Sequence, residues 1–185
     1  DWTIETWAYI NSATYGPALC SRRTSGDVGW CLEANCLRAY INGGWSNSQI
    51  SWTRPSLNAW HHYALVKNGT TITAYVDGVS VGSKTSVSSI QDQVAPLRIG
   101  VADGGGSEDI LNGYIDEFRF TKGAARYTSA FPPPSAAFPD AAVIPARPLG
   151  EYSLTTAYTG EVQVIALDPV GGTTFNDLIL RTTPV

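Results

Sequence analysis

Hydrophobic and polar residues alternate with a period of two along most of the chain, as in β-strands with one buried face. In the segment TIETWAYI, the alternation places Ile4 and Ala8 on one face and Glu5 and Trp7 on the other. Further runs of this kind are LRAYING, SQISWT, PLRIGV and YIDEFRF. No stretch shows a helical period of useful length. The pattern therefore predicts a protein built from β-strands.

Short polar turns connect these runs. Asn68-Gly69 and Asp77-Gly78 each join two alternating runs, and such pairs are the strongest short-range signal for β-hairpins. We therefore expect a three-stranded meander. Asn68-Gly69-Thr70 also matches a glycosylation sequon, but a tight type I′-like turn is sufficient to explain Asn-Gly here. Many short strands at regular spacing predict an all-β sandwich or barrel.

A proline-rich run at residues 131–148 follows the strand-rich part of the chain. Proline is excluded from central strands, so we expect an extended, stiff linker here. The remaining residues offer three more strand-like runs, too few to bury a core alone. We therefore divide the chain into a sandwich at residues 1–139 and a linker with a small C-terminal β extension at residues 140–185. The extension is expected to pack on the sandwich or on another chain.

Composition narrows the classes of function. Of the 185 residues, 43% are hydrophobic and the formal net charge is −4, values typical of a soluble globular protein. No apolar stretch approaches the roughly 20 residues that span a bilayer, so we expect no membrane insertion. The 12 Lys and Arg residues form no basic run, so we expect no nucleic-acid partner. The chain lacks Met and begins within a strand pattern, which favours a domain or a processed chain.

The three cysteines, Cys20, Cys31 and Cys36, lie in two short hairpin-like segments. If the segments fold as hairpins, the cysteines could lie opposite one another on neighbouring strands. Opposed Cβ atoms are about 4.5–5.5 Å apart, which is longer than the mean disulfide spacing of about 3.8 Å. One distorted disulfide and a set of buried thiols are both compatible with the sequence.

Four phrases together resemble a known family: DWTIETWAYI, NAWHHYALVKNGTTITAYVDGVSVGS, PLRIG and GYIDEFRFTKGAARYTSAFPPPSAAFP. They are similar to the laminin-G-like members of the concanavalin A-like lectin/glucanase superfamily, above all to modules of tailed-bacteriophage virion proteins. The resemblance covers roughly residues 1–139. It implies a two-sheet antiparallel jelly-roll sandwich. Family domains usually carry a strand ahead of the Thr-Ile-Glu-x-Trp motif, so the resemblance also implies a first strand upstream or supplied from elsewhere.

Asp116 and Glu117 are the candidates for hydrolytic chemistry, which needs two carboxylates about 5–10 Å apart across one substrate. Adjacent strand residues point to opposite faces, so these two acids should not flank one glycosidic bond. Catalytic relatives of the resembled superfamily carry Glu-x-Asp-x-Glu, whereas Tyr114 and Phe118 stand two residues either side of Asp116. That departure argues against a glucanase. We therefore expect no enzymatic activity.

A structural calcium ion is an alternative role for the acids. The alternation predicts that Asp116 shares a core-facing side of its strand with Phe118 and Phe120. An inward carboxylate must be hydrogen-bonded or bound to a metal. Because the first and last strands of jelly rolls are often neighbours, Glu5 and Asp116 form a candidate calcium pair. The simpler interpretation is that the acids accept hydrogen bonds near a sheet corner.

Histidines and aromatic residues give the remaining candidates. His61 and His62 are adjacent and point to opposite faces, so we expect them to be structural rather than metal ligands. Sugar rings stack on exposed aromatic faces while polar side chains bind the hydroxyls. Two loop-rich segments fit that chemistry, and we expect them to bind carbohydrate through Trp45, Asn47, Asp103 and Asn112. We expect Trp7, Trp52 and Trp60 to pack in the core.

The sequence and the resemblance together favour a non-catalytic virion module of a tailed bacteriophage, as part of a tail fibre, tail tip or capsid surface. Its expected partners are a host-surface glycan or neighbouring virion proteins, and it is expected to form homo-oligomers within the virion. The alternative is a carbohydrate-binding domain of a secreted or surface bacterial protein. A glycan hydrolase is the least favoured class.

Overall fold

The computed structural model describes residues 1–12, 16–24, 28–41, 44–85, 87–88, 90, 95–102, 109–138, 162–166 and 177–182. These residues form strands and turns and contain no helix. Among them there is accordingly no helix long and apolar enough to cross a membrane. The strands are β1 (Trp2–Ser12), β2 (Ala18–Thr24), β3 (Val28–Glu33), β4 (Cys36–Ile41), β5 (Gly44–Ser51), β6 (Trp60–Asn68), β7 (Thr71–Val76), β8 (Val79–Lys84), β9 (Arg98–Ile99), β10 (Val101–Ala102), β11 (Asp109–Ile110), β12 (Asn112–Lys122), β13 (Val162–Ala166) and β14 (Asp177–Thr182).

The strands form two antiparallel sheets that pack as a sandwich. The large sheet has the order β13-β14-β12-β1-β6-β7-β8 and the small sheet the order β5-β4-β3-β2-β9, while β10 and β11 make a separate pair. The core between the sheets includes Ile4, Ala8, Leu32, Leu37, Tyr63, Leu65, Ile72 and Phe118. The all-β jelly-roll prediction is confirmed.

The predicted meander is present as β6, β7 and β8, but its two turns differ. Val76 pairs with Val79, and both central residues have positive φ, 49° for Asp77 and 76° for Gly78, as a type I′ turn requires. In the first hairpin Asn68 pairs with Thr71, so the two-residue loop is Gly69-Thr70. Only Gly69 has positive φ there, which is typical of a type II′ turn. The predicted I′-like turn at Asn68-Gly69 is therefore wrong by one residue.

A β-bulge interrupts β12 at Glu117, whose φ of 50° is unusual for a residue with a side chain. Glu5 pairs with Arg119 and Trp7 pairs with Asp116, so three residues of β12 span the length of two in β1. The extra residue inverts the alternation. Phe118 is consequently buried in the core whereas Asp116 is exposed. The prediction that Asp116 shares a face with Phe118 and Phe120 is wrong for this reason.

The segment after β12 packs on the sandwich. Residues 123–138, which we call the strap, lie against the outer face of the large sheet, where Tyr127 and Phe131 contact Ala64, Val66 and Tyr75. The extended run predicted from residue 131 thus lies against the sheet as far as residue 138. Beyond it, β14 pairs with β12 and β13 pairs with β14, which places these two strands at one edge of the large sheet.

All three cysteines are buried free thiols. Cys20 pairs with Leu32, Cys31 with Ser21 and Arg38, and Cys36 with Ser51. The cysteines therefore do not lie opposite one another, and of the two alternatives the structure has the set of buried thiols. Burial and the neighbouring Glu33 carboxylate raise the pKa of Cys36 to about 12, so this thiol is protonated at neutral pH.

Candidate functional site

Three aromatic rings form a row on the outer face of the large sheet. Tyr9 on β1 pairs with Trp60 on β6 and with Tyr114 on β12, so the row crosses three neighbouring strands. The centroids of the Tyr9 and Trp60 rings are 5.8 Å apart and those of Tyr9 and Tyr114 are 5.9 Å apart, both with edge contacts. Trp60 is 45% exposed and Tyr114 is 62% exposed. We call Trp60, Tyr9 and Tyr114 the aromatic row.

Amide side chains border one side of the aromatic row. Asn112 lies two residues before Tyr114 on β12, and strand periodicity places it on the same face. Its Nδ2 donates to Ser12 Oγ at 2.8 Å, and its Oδ1 accepts from Asn11 Nδ2 at 3.2 Å. These hydrogen bonds fix the amides at the surface, and each amide has capacity for further hydrogen bonds. The predicted binding residue Asn112 thus lies beside the aromatic row.

The next cross-strand level contains Trp7, which pairs with His62 on one side and Asp116 on the other. Asp116 is exposed, and its Oδ1 accepts a hydrogen bond of 2.8 Å from the Glu117 amide. The rings of Trp7 and His62 are in edge contact at 5.3 Å. This level therefore presents one aromatic side chain and one exposed carboxylate next to the aromatic row.

The strap covers the face beyond that level. Tyr127 and Phe131 stack with centroids 3.5 Å apart, and both rings contact the buried His62 edge-on. The Phe131 amide donates to Gly78 O at 3.0 Å. At the far end, the Phe138 amide donates to Glu117 Oε2 at 2.6 Å. The strap is thus hydrogen-bonded both to the β7–β8 turn and back to β12.

A buried ionic cluster lies beneath the strap around Glu5. Arg119 donates to Glu5 Oε1 through Nε at 2.9 Å and Nη2 at 2.7 Å, and Tyr127 donates to Oε2 at 2.7 Å. His62 Nε2 lies 3.3 Å from Oε2, outside hydrogen-bond geometry. Burial alone would raise the pKa of Glu5, yet the contacts with His62, Tyr127 and Arg119 outweigh it and hold that pKa below its usual value.

This geometry contradicts the prediction that Glu5 and Asp116 together bind calcium. Glu5 is fully buried and gives both oxygens to donors of the cluster, whereas Asp116 is exposed and lies opposite Trp7. Calcium takes six to eight oxygen ligands, and a carboxylate already bound by a guanidinium is a poor one. Within the described ranges, no group of three or more His, Cys, Asp or Glu residues could hold a metal ion. Glu5 instead serves the simpler role, as a hydrogen-bond acceptor.

The lowered pKa of Glu5 predicts acid sensitivity. An unfolded glutamate has a pKa of about 4.3. The contribution of Glu5 to the free energy of unfolding is therefore complete above that pH and is lost as the pH falls through the lower pKa of the folded protein. Urea denaturation from about pH 6 to about pH 3 should show a steeper acid loss for wild type than for Glu5→Gln, with the two curves converging in acid. Parallel curves would contradict this role.

The other predicted carbohydrate-binding residues are Trp45, Asn47 and Asp103, and their side chains all lie outside the described residues. Trp45 and Asn47 belong to β5, an edge strand of the small sheet, and the backbone of Trp45 pairs with that of Tyr40 on β4. These three assignments stay predictions, and β5 is not one of the strands that carry the aromatic row.

The histidine and tryptophan predictions can be compared with the structure directly. His61 contacts Ser56 and Asp77, with its Nδ1 2.7 Å from Asp77 Oδ2, whereas His62 packs under the strap. The two histidines therefore point to opposite faces, as predicted. Trp52 packs on the core and donates to Ala34 O, as expected. Trp60 is exposed, so its predicted core position is wrong.

Sequence reasoning missed the aromatic row, although a signal was present. Tyr9 continues the face of Glu5 and Trp7 in the first strand, and Tyr114 precedes Asp116 by two residues. What the sequence did not contain is the cross-strand register, which brings Trp60 and Tyr114 to opposite sides of Tyr9. Three aromatic residues far apart in sequence become one surface only through that pairing.

Comparison with known proteins agrees with this fold. The sequence family described as the concanavalin A-like lectin/glucanases superfamily matches residues 1–126, which include β1 to β12 and the start of the strap. The chain belongs to the concanavalin A-like lectin/glucanase superfamily. This superfamily includes both lectins and glucanases, so membership alone does not separate binding from hydrolysis.

A solved structure is similar in fold to this chain. It is a protein from Bacteroides ovatus, provisionally described as a carbohydrate-binding protein, with a TM-score of 0.52 and 17% sequence identity. The alignment covers 68% of this chain and 38% of that protein, so this chain spans well under half of its length. At this identity the likeness shows the fold alone. No curated protein matches the sequence significantly.

Proposed function

We propose that the chain is a non-catalytic glycan-binding module and that the aromatic row is its contact surface. The observation that carries the proposal is the row itself, in which Trp60 and Tyr114 are exposed on either side of Tyr9. Large exposed aromatic patches are uncommon on soluble proteins and mark binding surfaces. The likeness to a provisionally described carbohydrate-binding protein supports the same class of function.

The chemistry around the aromatic row suits sugars. Aromatic faces stack on the C–H surface of a pyranose, and amide or carboxylate groups at the edges bind its hydroxyls. Asn112 and Asn11 lie on one side and Asp116 lies near the other. The β-strand backbone holds these side chains, so a ligand meets a surface that is already arranged and binding loses little conformational entropy.

The arrangement of acids supports binding without hydrolysis. Glycosidases use two carboxylates about 5–10 Å apart across the scissile bond. Asp116 is exposed beside the aromatic row, but Glu117 is buried and accepts a hydrogen bond from the strap at the Phe138 amide. Glu5 is enclosed in the ionic cluster. Asp77, the other exposed carboxylate at the level of Asp116, is held by His61 and the His62 amide three strand spacings from Asp116, roughly 14 Å, which is too far for a glycosidase pair.

The test is binding of the full chain to a panel of immobilised soluble polysaccharides, compared with Trp60→Ala. We expect Trp60→Ala to weaken binding about tenfold or more, since removing a Trp from a contact surface costs on the order of 2 kcal/mol. Val79→Ala is the matched control, because Val79 is 61% exposed on the same sheet but outside the aromatic row. Incubation should release no reducing sugar.

Equal binding by wild type and Trp60→Ala would reject the aromatic row as the contact surface. In that case Trp45, Asn47 and Asp103 become the alternative contact residues, and Trp45→Ala in the same assay tests them. Loss of binding in Val79→Ala as well would indicate a general effect on folding. Release of reducing sugar that Asp116→Asn abolishes would reject the non-catalytic assignment.

For the biological setting, we propose a virion module of a tailed bacteriophage that forms homo-oligomers and binds a host-surface glycan or neighbouring virion proteins. The support is the similarity of the strand β12 and strap sequence to modules of such virions. Many copies in a virion would turn weak single-site binding into strong attachment. Tail or capsid genes beside this one, and incorporation of the protein into particles, are the observations that test this setting.

A carbohydrate-binding domain of a secreted or surface bacterial protein is the second candidate. The Bacteroides ovatus structure favours it, because that protein is bacterial and is provisionally described as carbohydrate-binding. A signal peptide and catalytic domains encoded in the same gene would select this setting. The aromatic row has the same role in both.

A further inference from the structure

The direction of the aromatic row constrains the shape of its ligand. The row runs across the strands, from Trp60 on β6 over Tyr9 to Tyr114 on β12. At both ends the described sheet stops: β7 pairs with β6 only from Tyr63 onward, and β14 pairs with β12 only from Phe118 onward. In the part of the chain that the structure describes, no strand therefore extends the sheet past either end ring. A long ligand lying on the row therefore meets no further described strand of this sheet at either end.

The strap gives the row a parallel wall. The strap leaves β12 at Gly123, and Phe131 lies at the β7–β8 turn, so the strap crosses the same strands as the row. It covers His62, which is one cross-strand level from the row, and leaves Asp116 exposed and Trp7 partly exposed on the same level. On the opposite side Asn112 and Asn11 form a polar edge. The aromatic row thus forms the base of the surface, and the strap borders it on one side. Polar side chains lie along both of its sides.

The tilt of the rings restricts the ligand further. Neighbouring ring planes differ by 63° for Tyr9 and Trp60 and by 62° for Tyr9 and Tyr114. Rings tilted in this way do not form a flat surface, so they cannot lie together on the face of a crystalline polysaccharide. A single chain can twist so that successive sugars meet successive rings. The ring spacings of 5.8 Å and 5.9 Å are comparable to the length of one pyranose unit in an extended chain.

From these features we infer that the aromatic row binds the interior of a single extended chain of neutral sugars, about one unit per ring, rather than a chain end or a crystalline surface. The inference rests on the proposed function and adds the class of ligand. Asp116 and Asp77 both lie at the cross-strand level next to the row, and their exposed carboxylates disfavour acidic sugars by like-charge repulsion. The strap sets the direction of the chain across β6, β1 and β12.

The experiment uses fragments of whichever soluble polysaccharide the wild type binds in the panel, size-fractionated from one to six units and measured by calorimetry. Affinity should rise roughly three- to tenfold per added sugar up to about three units and then level off, because each ring adds one stacking contact. Borohydride reduction of the end sugar should leave the affinity of the longest fragments unchanged. Tyr114→Ala should make the affinity level off one unit earlier, whereas Ile110→Ala, an exposed control on β11, should not.

Three results would overturn the inference while leaving glycan binding intact. A single sugar that binds as tightly as the longest fragment would show a one-unit site. Loss of affinity after reduction would show recognition of chain ends. Tighter binding to the crystalline form of the polymer than to its soluble chains would show a flat contact. Failure of every polysaccharide to bind would instead reject the proposed function, and the inference with it.

Discussion

Arg119→Met is expected to lower the free energy of unfolding by about 3–5 kcal/mol, because it removes the closest cation from the buried Glu5 carboxylate and leaves Oε1 without its two hydrogen bonds. Arg119 supplies two of the hydrogen bonds that Glu5 accepts, and its guanidinium also lies 3.6 Å from the centre of the Phe138 ring. Glu5 is completely buried and cannot recover this stabilisation from water. Urea denaturation at neutral pH, followed by tryptophan fluorescence, measures the loss.

Two variants make the Arg119 result specific. Lys122→Met removes a cation from an exposed position on the same strand and should change the free energy of unfolding by no more than about 0.5 kcal/mol. Glu5→Met combined with Arg119→Met should be less destabilised than Arg119→Met alone, since an apolar pair carries no buried charge. If Arg119→Met behaves like Lys122→Met, the cluster does not hold the strap to the sheet.

The sheets were predictable from the sequence because alternation is a local property. Ile4 and Ala8 face the core as the pattern indicates, and the turn at Asp77-Gly78 has the φ values that its residues favour. Local patterning therefore determines which segments are strands and which side is buried. The resemblance added the two-sheet order, since phrases spread over roughly residues 1–139 matched one family.

The faces of β12 were not predictable because they depend on a bulge. One additional residue at Glu117 exchanges the two faces of the strand, and strict alternation then assigns Asp116 to the wrong side. The bulge is visible only in the pairing with β1, where Glu5 meets Arg119. The same bulge brings Arg119 to the outer face, where it can bind Glu5.

The candidate site was only partly predictable for a related reason. Composition suggested glycan binding and singled out Asn112, which lies beside the aromatic row; its role in binding stays a prediction. The exposure of Trp60 could not be inferred, since an apolar side chain in a strand is usually buried. The strap explains the difference. It covers the outer face up to His62 and leaves the level of Trp60 open.

Gly78→Ala is expected to destabilise the protein by about 2–4 kcal/mol and to displace the strap, through two costs that act together. Gly78 has a φ of 76°, where a residue with a side chain is strained by roughly 1–2 kcal/mol. A Cβ at this position would also lie 1.7 Å from the carbonyl oxygen of Phe131, a backbone atom that cannot move without taking the strap with it. Urea denaturation gives the stability, and hydrogen exchange at Tyr127 and Phe131 reports whether the strap has left the sheet.

Gly69→Ala separates the two costs. Gly69 also has a positive φ, of 56°, but a Cβ there would meet nothing within 4 Å, so this variant has the backbone strain without the collision. The loss in Gly78→Ala beyond that in Gly69→Ala therefore measures the docking of the strap at the β7–β8 turn. Equal losses would show that the strap contributes little there. Because the strap is the wall beside the aromatic row, an excess loss in Gly78→Ala should be accompanied by weaker glycan binding, whereas Gly69→Ala should bind as wild type does.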